Sequence, residues 1–302
     1  MVRAMYAKLS AVVALALAGC APVAPVKTMS SAHEGATLAS QCQGRDGWSD
    51  PAPPAHIFAN VYMVGTCGIV SLLVTSPKGH ILIDGATAEA APFIADNIRK
   101  LGFQPTDVKY LVSSHEHLDH AGGLAALKGV TGAHMLARAE ARKSLETGIS
   151  DPTDPQLAIL PPFAGIKVDQ IVRDGETIAL GPIRMTVIAT PGHAPGGTSW
   201  TWKSCEGATC HQFVFADSLG AVSADAYRFT DHPEYVAVLR ATMKRVSELK
   251  PCDILIAPHP AQSRFFERVS GKEPLADPAG CANYAKAAME RLDARLAKEA
   301  AQ

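Results

Sequence analysis

Short runs of β-branched and apolar residues open the patterned part of the chain: Val61-Tyr-Met-Val64, Ile69 to Thr75 and His80-Ile-Leu-Ile83. Gly65, Pro77-Lys-Gly79 and Asp84-Gly85 divide them, so the three runs predict a β-meander joined by turns. From about Ala88 to Leu101 the period changes. Phe93, Ile94, Ile98 and Leu101 fall at helical spacing, and Gly102 supplies the stop. A strand is expected at Lys109 to Ser113. A second strand cluster covers Gln170 to Val172, Ile183 to Ala189, Thr198 to Trp202 and Gln212 to Ala216, before a helix around Glu234 to Leu249. A strand at Asp253 to Ala257 and a helix near Asn283 to Lys298 close the pattern. Each half is mostly strands followed by helix. That order predicts two packed sheets with helices outside, one α/β sandwich rather than two independent domains.

Composition agrees with a folded globular chain: 47% of the 302 residues are hydrophobic and 19% charged. The 28 Lys and Arg against 29 Asp and Glu leave a net charge of −1, with no basic run to track a phosphate backbone, so nucleic acid is not an expected partner. Arg3 and Lys8 precede the apolar stretch Leu9 to Ala18, the layout of a secretory signal too short to span a bilayer. It ends Leu17-Ala18-Gly19-Cys20, which resembles the bacterial lipobox and implies lipidation at Cys20; ordinary cleavage nearby, giving a free product, is the alternative. The expected layout is a signal over residues 1–20, a flexible linker over 21–40 and one domain over 41–302. Export to the periplasm follows, with membrane contact only through a lipid at the outer membrane. Without Cys20 six cysteines remain: Cys42, Cys67, Cys205, Cys210, Cys252 and Cys281. An even set in an exported chain predicts disulfides. Six cysteines allow 15 connectivities, which sequence does not decide; pairing in order along the chain is preferred.

The chemistry concentrates in Ser114-His115-Glu116-His117-Leu118-Asp119-His120-Ala121-Gly122-Gly123, directly after an apolar strand. On an extended segment His115 and His117 point to one side, and Asp119 and His120 follow as the chain turns. Two more histidines stand at strand-to-loop junctions: His193 in Thr190-Pro-Gly-His-Ala-Pro-Gly196 and His259 in Ile256-Ala-Pro-His-Pro260. Five histidines and one aspartate make two three-ligand sets. Imidazole with carboxylate suits zinc, and three protein ligands per ion leave a position open for chemistry. His33, His56, His80, His134, His211 and His232 lack neighbouring ligand types and read as structural.

The HxHxDH cluster with the later histidines resembles the metallo-β-lactamase superfamily, whose fold is a four-layer αββα sandwich. Val64-Gly-Thr-Cys-Gly68, Thr75 to Gly85, Thr190 to Trp202, Ala216-Asp-Ser-Leu219 and Ala257-Pro-His-Pro260 are similar to the third subclass of class B β-lactamases, and the six cysteines to its three-disulfide members. The resemblance covers roughly Trp48 to Cys281. It implies two Zn2+ ions, one held by His115, His117 and His193 and the other by Asp119, His120 and His259. It further implies that a monomer opens the amide of penicillins, cephalosporins or carbapenems by attack of a zinc-bound hydroxide. Asp119 would orient that hydroxide or shuttle its proton, and Ser218 would contact the substrate carboxylate. The companion serine two places on is Gly220 here, a departure that touches those contacts.

Other readings compete. Asp84, at a strand end, is a candidate partner for a ligand histidine or a plain turn aspartate. The Pro-rich segment Pro152 to Phe163 borders the cleft or simply connects two elements. Ser247-Glu-Leu-Lys250 matches the S-x-x-K of serine β-lactamases, but S-D-N, K-T-G and G-x-S-x-G are all missing. In glyoxalase II and the lactone hydrolases an aspartate after a late strand bridges the metals, and Asp217 would take that part. A metal-binding lipoprotein without turnover is the reading from another class.

Overall fold

The computed structural model describes Met1 and residues 31–301. The expected signal, Cys20 and the first part of the expected linker lie outside the described residues. The linker's second half differs from expectation, because Ser31–Gln41 forms a helix, α1. Its small residues look like tether but serve close packing. A Cβ on Gly35 would stand 1.9 Å from the Val269 carbonyl oxygen, while Leu38 is fully buried and Cys42 is bonded to Cys67.

Two sheets form the centre. The first runs in chain order as β1 (Ala55–Phe58), β2 (Val61–Met63), β3 (Leu72–Val74), β4 (His80–Ile83), β5 (Val108–Val112), β6 (His134–Ala137) and β7 (Gln170–Ile171). It is antiparallel up to β4, as the meander predicted, and parallel from β4 to β7. The second sheet has the order β12-β11-β10-β9-β8, from β8 (Thr177–Leu180), β9 (Ile183–Ala189), β10 (Thr198–Glu206), β11 (Thr209–Phe215) and β12 (Ile254–Ile256). β12 lies parallel to β11, and the other neighbours are antiparallel.

Alternation along the strands sorts the core into three apolar layers. Val61, Met63, Leu72, Val74, Ile81 and Ile83 face inward onto Met185, Val187, Trp200, Trp202, Phe213, Phe215, Ile254 and Ile256 of the second sheet. Leu73, Leu82 and Leu111 point the other way, onto α2 (Ala91–Lys100), α4 (Leu124–Thr131) and α5 (Ala139–Thr147). Val214 and Leu255 face α6 (Pro233–Ser247) and α8 (Gly280–Ala300). Helices, sheet, sheet and helices make the four layers, and each large side chain removed from water contributes roughly 1.5–3 kcal/mol.

Disulfides join Cys42 to Cys67, Cys205 to Cys210 and Cys252 to Cys281, in chain order. The first and third span 25 and 29 residues, and closing loops of that size stabilises by about 3–4 kcal/mol each. Among the described residues no helix is long and apolar enough to cross a membrane. The expected strand from Ile69 shortens to β3 because Gly65 to Ser71 forms a tight loop, in which the Val70 N–H donates to the Pro258 carbonyl at 2.7 Å. That bond fixes the segment leading into His259. The ends of β4, β5, β9, β11 and β12 thereby gather the loops that carry chemistry.

Candidate metal centre

β5 ends at Val112, and the chain bends at Ser114, Glu116 and His117, rather than staying extended as expected, before the short helix α3 (Leu118–Ala121), which carries Asp119 and His120. His117 is its N-cap in extended conformation. His193 enters from the β9–β10 loop and His259 from the loop after β12. The ring centres of His115 and His117 lie 4.5 Å apart, those of His115 and His193 4.7 Å, and those of His117 and His193 5.1 Å. His115 to His120 is 4.3 Å and His120 to His259 is 5.0 Å. His115, His117 and His193 present ligand atoms all within 4.8 Å of one another, and so do His115, Asp119 and His120. His259 sits beside the second group, its Nε2 3.3 Å from Asp119 Oδ2.

The outer nitrogens decide which inner ones are free. His115 Nδ1 donates to Asp217 Oδ1 at 2.8 Å, His117 Nε2 to Asp154 Oδ2 at 2.7 Å, His193 Nδ1 to the Gly220 carbonyl at 2.8 Å and His120 Nδ1 to Asp84 Oδ2 at 3.1 Å. His117 therefore turns Nδ1 to the cluster, whereas the other three turn Nε2. Asp84 is the partner the sequence suggested. At φ 62° it occupies the left-handed region, and its carboxylate also accepts the Ser114 N–H at 2.6 Å and the Ser114 hydroxyl at 2.8 Å. Asp154 had no sequence signal beyond lying in the Pro-rich segment. That segment does border the site: Asp154 holds His117, and the Gln156 side chain donates to the His193 carbonyl at 3.4 Å.

Asp217 lies behind His115 rather than among the ligand atoms. Its Oδ1 accepts from His115 and from the Ser218 N–H at 2.7 Å, and it belongs to neither convergent group. Ser218 is buried, its hydroxyl without a hydrogen-bond partner among the described residues. Glu116, which the sequence reading passed over, is fully buried and accepts the Gly196 N–H at 2.7 Å, tying the His193 loop to the end of β5. Space there is tight: a Cβ on Gly196 would stand 2.5 Å from Glu116 Oε2, and one on Gly197 2.4 Å from Asp217 Oδ2. Gly220 differs, since a Cβ there meets nothing nearer than 3.5 Å. Ser247 ends α6, partly exposed, and its hydroxyl donates to the Lys244 carbonyl.

The electrostatics fit a cation. Burial holds His115 well below the usual imidazole range and lowers His193 to about 3, so both stay neutral donors. Burial also lifts the Asp217 carboxyl well above its usual range and Glu116 to about 7. Burial alone would raise Asp119, but His120 and His259 hold it well below the carboxylate norm. Burial would likewise lower His120, yet Asp119 and Asp84 push it up to about 10. His115 Nε2 is buried with no hydrogen-bond partner, and His120 Nε2 meets Asp119 Oδ2 at 3.0 Å without hydrogen-bond alignment. Converging nitrogen and oxygen donors of this kind, with two imidazole nitrogens unsatisfied, suit zinc. Beside His259 a groove of about 850 Å³ opens between α1, Trp48 and α7 (Phe265–Val269).

A family model described as the metallo-β-lactamase superfamily matches residues 64–208. Over nearly its whole length the chain superposes on MIM-1, a metallo-β-lactamase from Novosphingobium pentaromativorans, with 49% identity, 88% of this chain and 98% of that one covered, and a TM-score of 0.85. The chain belongs to the metallo-β-lactamase superfamily. Subclass B3 structures are similar to it throughout. MEM-A1 from a soil metagenome is 40% identical over 84% of this chain and 99% of that one, with a TM-score of 0.80. BJP-1 of Bradyrhizobium japonicum is 32% identical over 85% and 98%, with a TM-score of 0.76. The superfamily also holds other hydrolases. An N-acyl homoserine lactonase from Agrobacterium fabrum is 33% identical over 42% of this chain and 57% of its own length. A hydroxyacylglutathione hydrolase from Rhodopseudomonas palustris is 30% identical over 49% and 52%. The chain spans little more than half the length of these curated relatives. As a metallo-β-lactamase-superfamily member with a His/Asp metal-binding site, it is a zinc protein.

Proposed function

We propose that this chain hydrolyses the amide of β-lactam antibiotics, penicillins, cephalosporins and carbapenems, with two zinc ions. The observation that carries the proposal is the position of Asp217. In the rival lactone and thioester hydrolases an aspartate after a late strand bridges the metals, whereas Asp217 is spent on His115 Nδ1. The similarity to MIM-1 over 98% of that chain supports the same reading.

His115, His117 and His193 would hold one ion, and Asp119, His120 and His259 the other. When bound, zinc supplies Lewis acidity toward the ring carbonyl and brings the pKa of water into the neutral range. The chain's own residues do the positioning. Asp217, Asp154, the Gly220 carbonyl and Asp84 fix the ring orientations and keep the inner nitrogens aimed at the ions. Asp119 Oδ2 lies between His120 Nε2 and His259 Nε2, where it can orient the attacking water and hold its proton. The groove beside His259 gives the substrate's substituent room, and Ser218 is the candidate contact for its carboxylate.

The same proposal covers the setting. The chain is a monomer, exported and folded as one domain over residues 41–302 with α1 docked on it. The three disulfides support an oxidising compartment such as the periplasm. The lipobox-like residues support an anchor at Cys20. Hydrolysis of a carbapenem and a cephalosporin, with chelator and with zinc restored, tests the activity. Ring opening that chelator abolishes and zinc restores is expected. Turnover of a homoserine lactone or a glutathione thioester by zinc-loaded protein that spares both antibiotics would transfer the chain to the rival hydrolases.

A further inference from the structure

Behind the metal centre, where no ligand lies, one phenol touches both halves. Tyr284 sits in the first turns of α8, and its hydroxyl lies 2.9 Å from the Asp217 carbonyl oxygen and 2.9 Å from Gln262 Oε1. Asp217 orients His115. Gln262 belongs to the single helical turn Pro260–Ser263 that His259 caps, and its N–H donates to the His259 carbonyl at 3.0 Å. A phenol has one proton, so it donates to the carbonyl and the pair with Gln262 closes when that amide turns its nitrogen inward.

We infer that Tyr284 is a positioning residue that holds the two ligand sets in register. The inference rests on the metal reading above. Asp217 is pinned from both sides, since its N–H donates to Ser199 Oγ at 2.9 Å and its carbonyl accepts from Tyr284. With the backbone held, the Ser218 N–H steadies Oδ1 where it meets His115 Nδ1. The anchor is rigid in turn. Tyr284 is buried, Cys281 one turn before it is bonded to Cys252 at the entry to β12, and a Cβ on Gly280 would stand 3.2 Å from the Leu255 side chain, so α8 presses on the strand leading to His259. A simple core tyrosine would need only its ring; this hydroxyl meets both loops, and other side-chain bonds from α8 to the loop after β11, from Arg295 to Ser223 and to the Tyr227 carbonyl, lie farther along that loop, away from Asp217.

The test compares zinc uptake, by chelator competition, and zinc-free melting for wild type, Tyr284→Phe and Gln262→Ala. Tyr284→Phe keeps the ring and is expected to lower the zinc-free melting temperature by no more than about 4 °C. It should weaken both zinc affinities by about tenfold or more, the usual effect of removing a group that steadies a ligand. Gln262→Ala, at the surface, should weaken only the second ion. Equal zinc affinities in wild type and Tyr284→Phe overturn the inference, as does a loss of melting temperature alone. Wild-type protein that takes up no zinc overturns the metal reading itself, which separates the two failures.

Discussion

The two ligand sets are built to different standards of rigidity. In the set of His115, His117 and His193, every outer nitrogen is engaged, by Asp217, Asp154 and the Gly220 carbonyl, at 2.7–2.8 Å. In the set of Asp119, His120 and His259, His120 leans on Asp84 at 3.1 Å, while the His259 side chain is 26% exposed and meets Asp119 at 3.3 Å. The difference follows from where the chain supplies partners. The first set draws its acceptors from two loops, Asp154 from the segment after α5 and Asp217 with the Gly220 carbonyl from the loop after β11, whereas His259 lines the open groove. One half is made in advance and the other keeps freedom beside the reaction space. Tight pre-arrangement favours metal capture; looseness beside the groove leaves coordination positions that a substrate can use.

Removing a ligand from either set should break this contrast most strongly. His117→Ala is expected to lose zinc and turnover together, whereas His259→Ala should retain about one equivalent of zinc while hydrolysis collapses; metal analysis after dialysis reads both. Equal retention by the two variants would erase the distinction. Removing a partner should have an intermediate effect. Asp154→Ala frees the His117 ring without touching a ligand, and a fall of about 10–100-fold in affinity for the first ion is expected with the second unchanged. Unchanged affinity would mean that outer partners do not stiffen the set. The smallest effect is expected from Gly220→Ser, because a Cβ fits and the His193 bond uses the backbone carbonyl. Zinc affinity should stay within about threefold, while KM for β-lactams falls through a new hydroxyl near the carboxylate. A large loss of zinc would show that the loop tolerates no side chain.

Much of the fold was legible because its signals are local. The meander of β2, β3 and β4 and the helices α2, α6 and α8 follow from period and punctuation, while the even count of cysteines predicted disulfides but not which of 15 connectivities they take; the preferred pairing in order is the one formed. The region from Leu124 to Thr147 was not, because α4, β6 and α5 are short and their apolar residues, such as Leu127, Met135 and Leu145, are too few per element to set a period. α1 was hidden by the smallness of its residues, whose value lies only in how near α7 can come. The ligand histidines stood out because residue type and spacing carry them. Their partners did not stand out in that role: Asp154 and Asp217, the latter noticed only as a possible metal bridge, come from distant segments, Tyr284 reaches Asp217 from a third, and nothing in the sequence says that 37, 102 or 67 residues of separation will close to a hydrogen bond. Asp84 was legible because it ends the strand beside the motif.

The glycines around His193 bear on how this protein can change under selection. At Gly196 and Gly197 any side chain would collide with a buried carboxylate, so single substitutions there are closed routes. Gly220, on the far side of the same histidine, has room for one. Variation that retunes the substrates accepted should therefore accumulate at Gly220 and along the groove rim, while the paired glycines persist. An inhibitor that draws its affinity from the crowded side of His193 would leave the lineage fewer single-step escapes than one leaning on the permissive side.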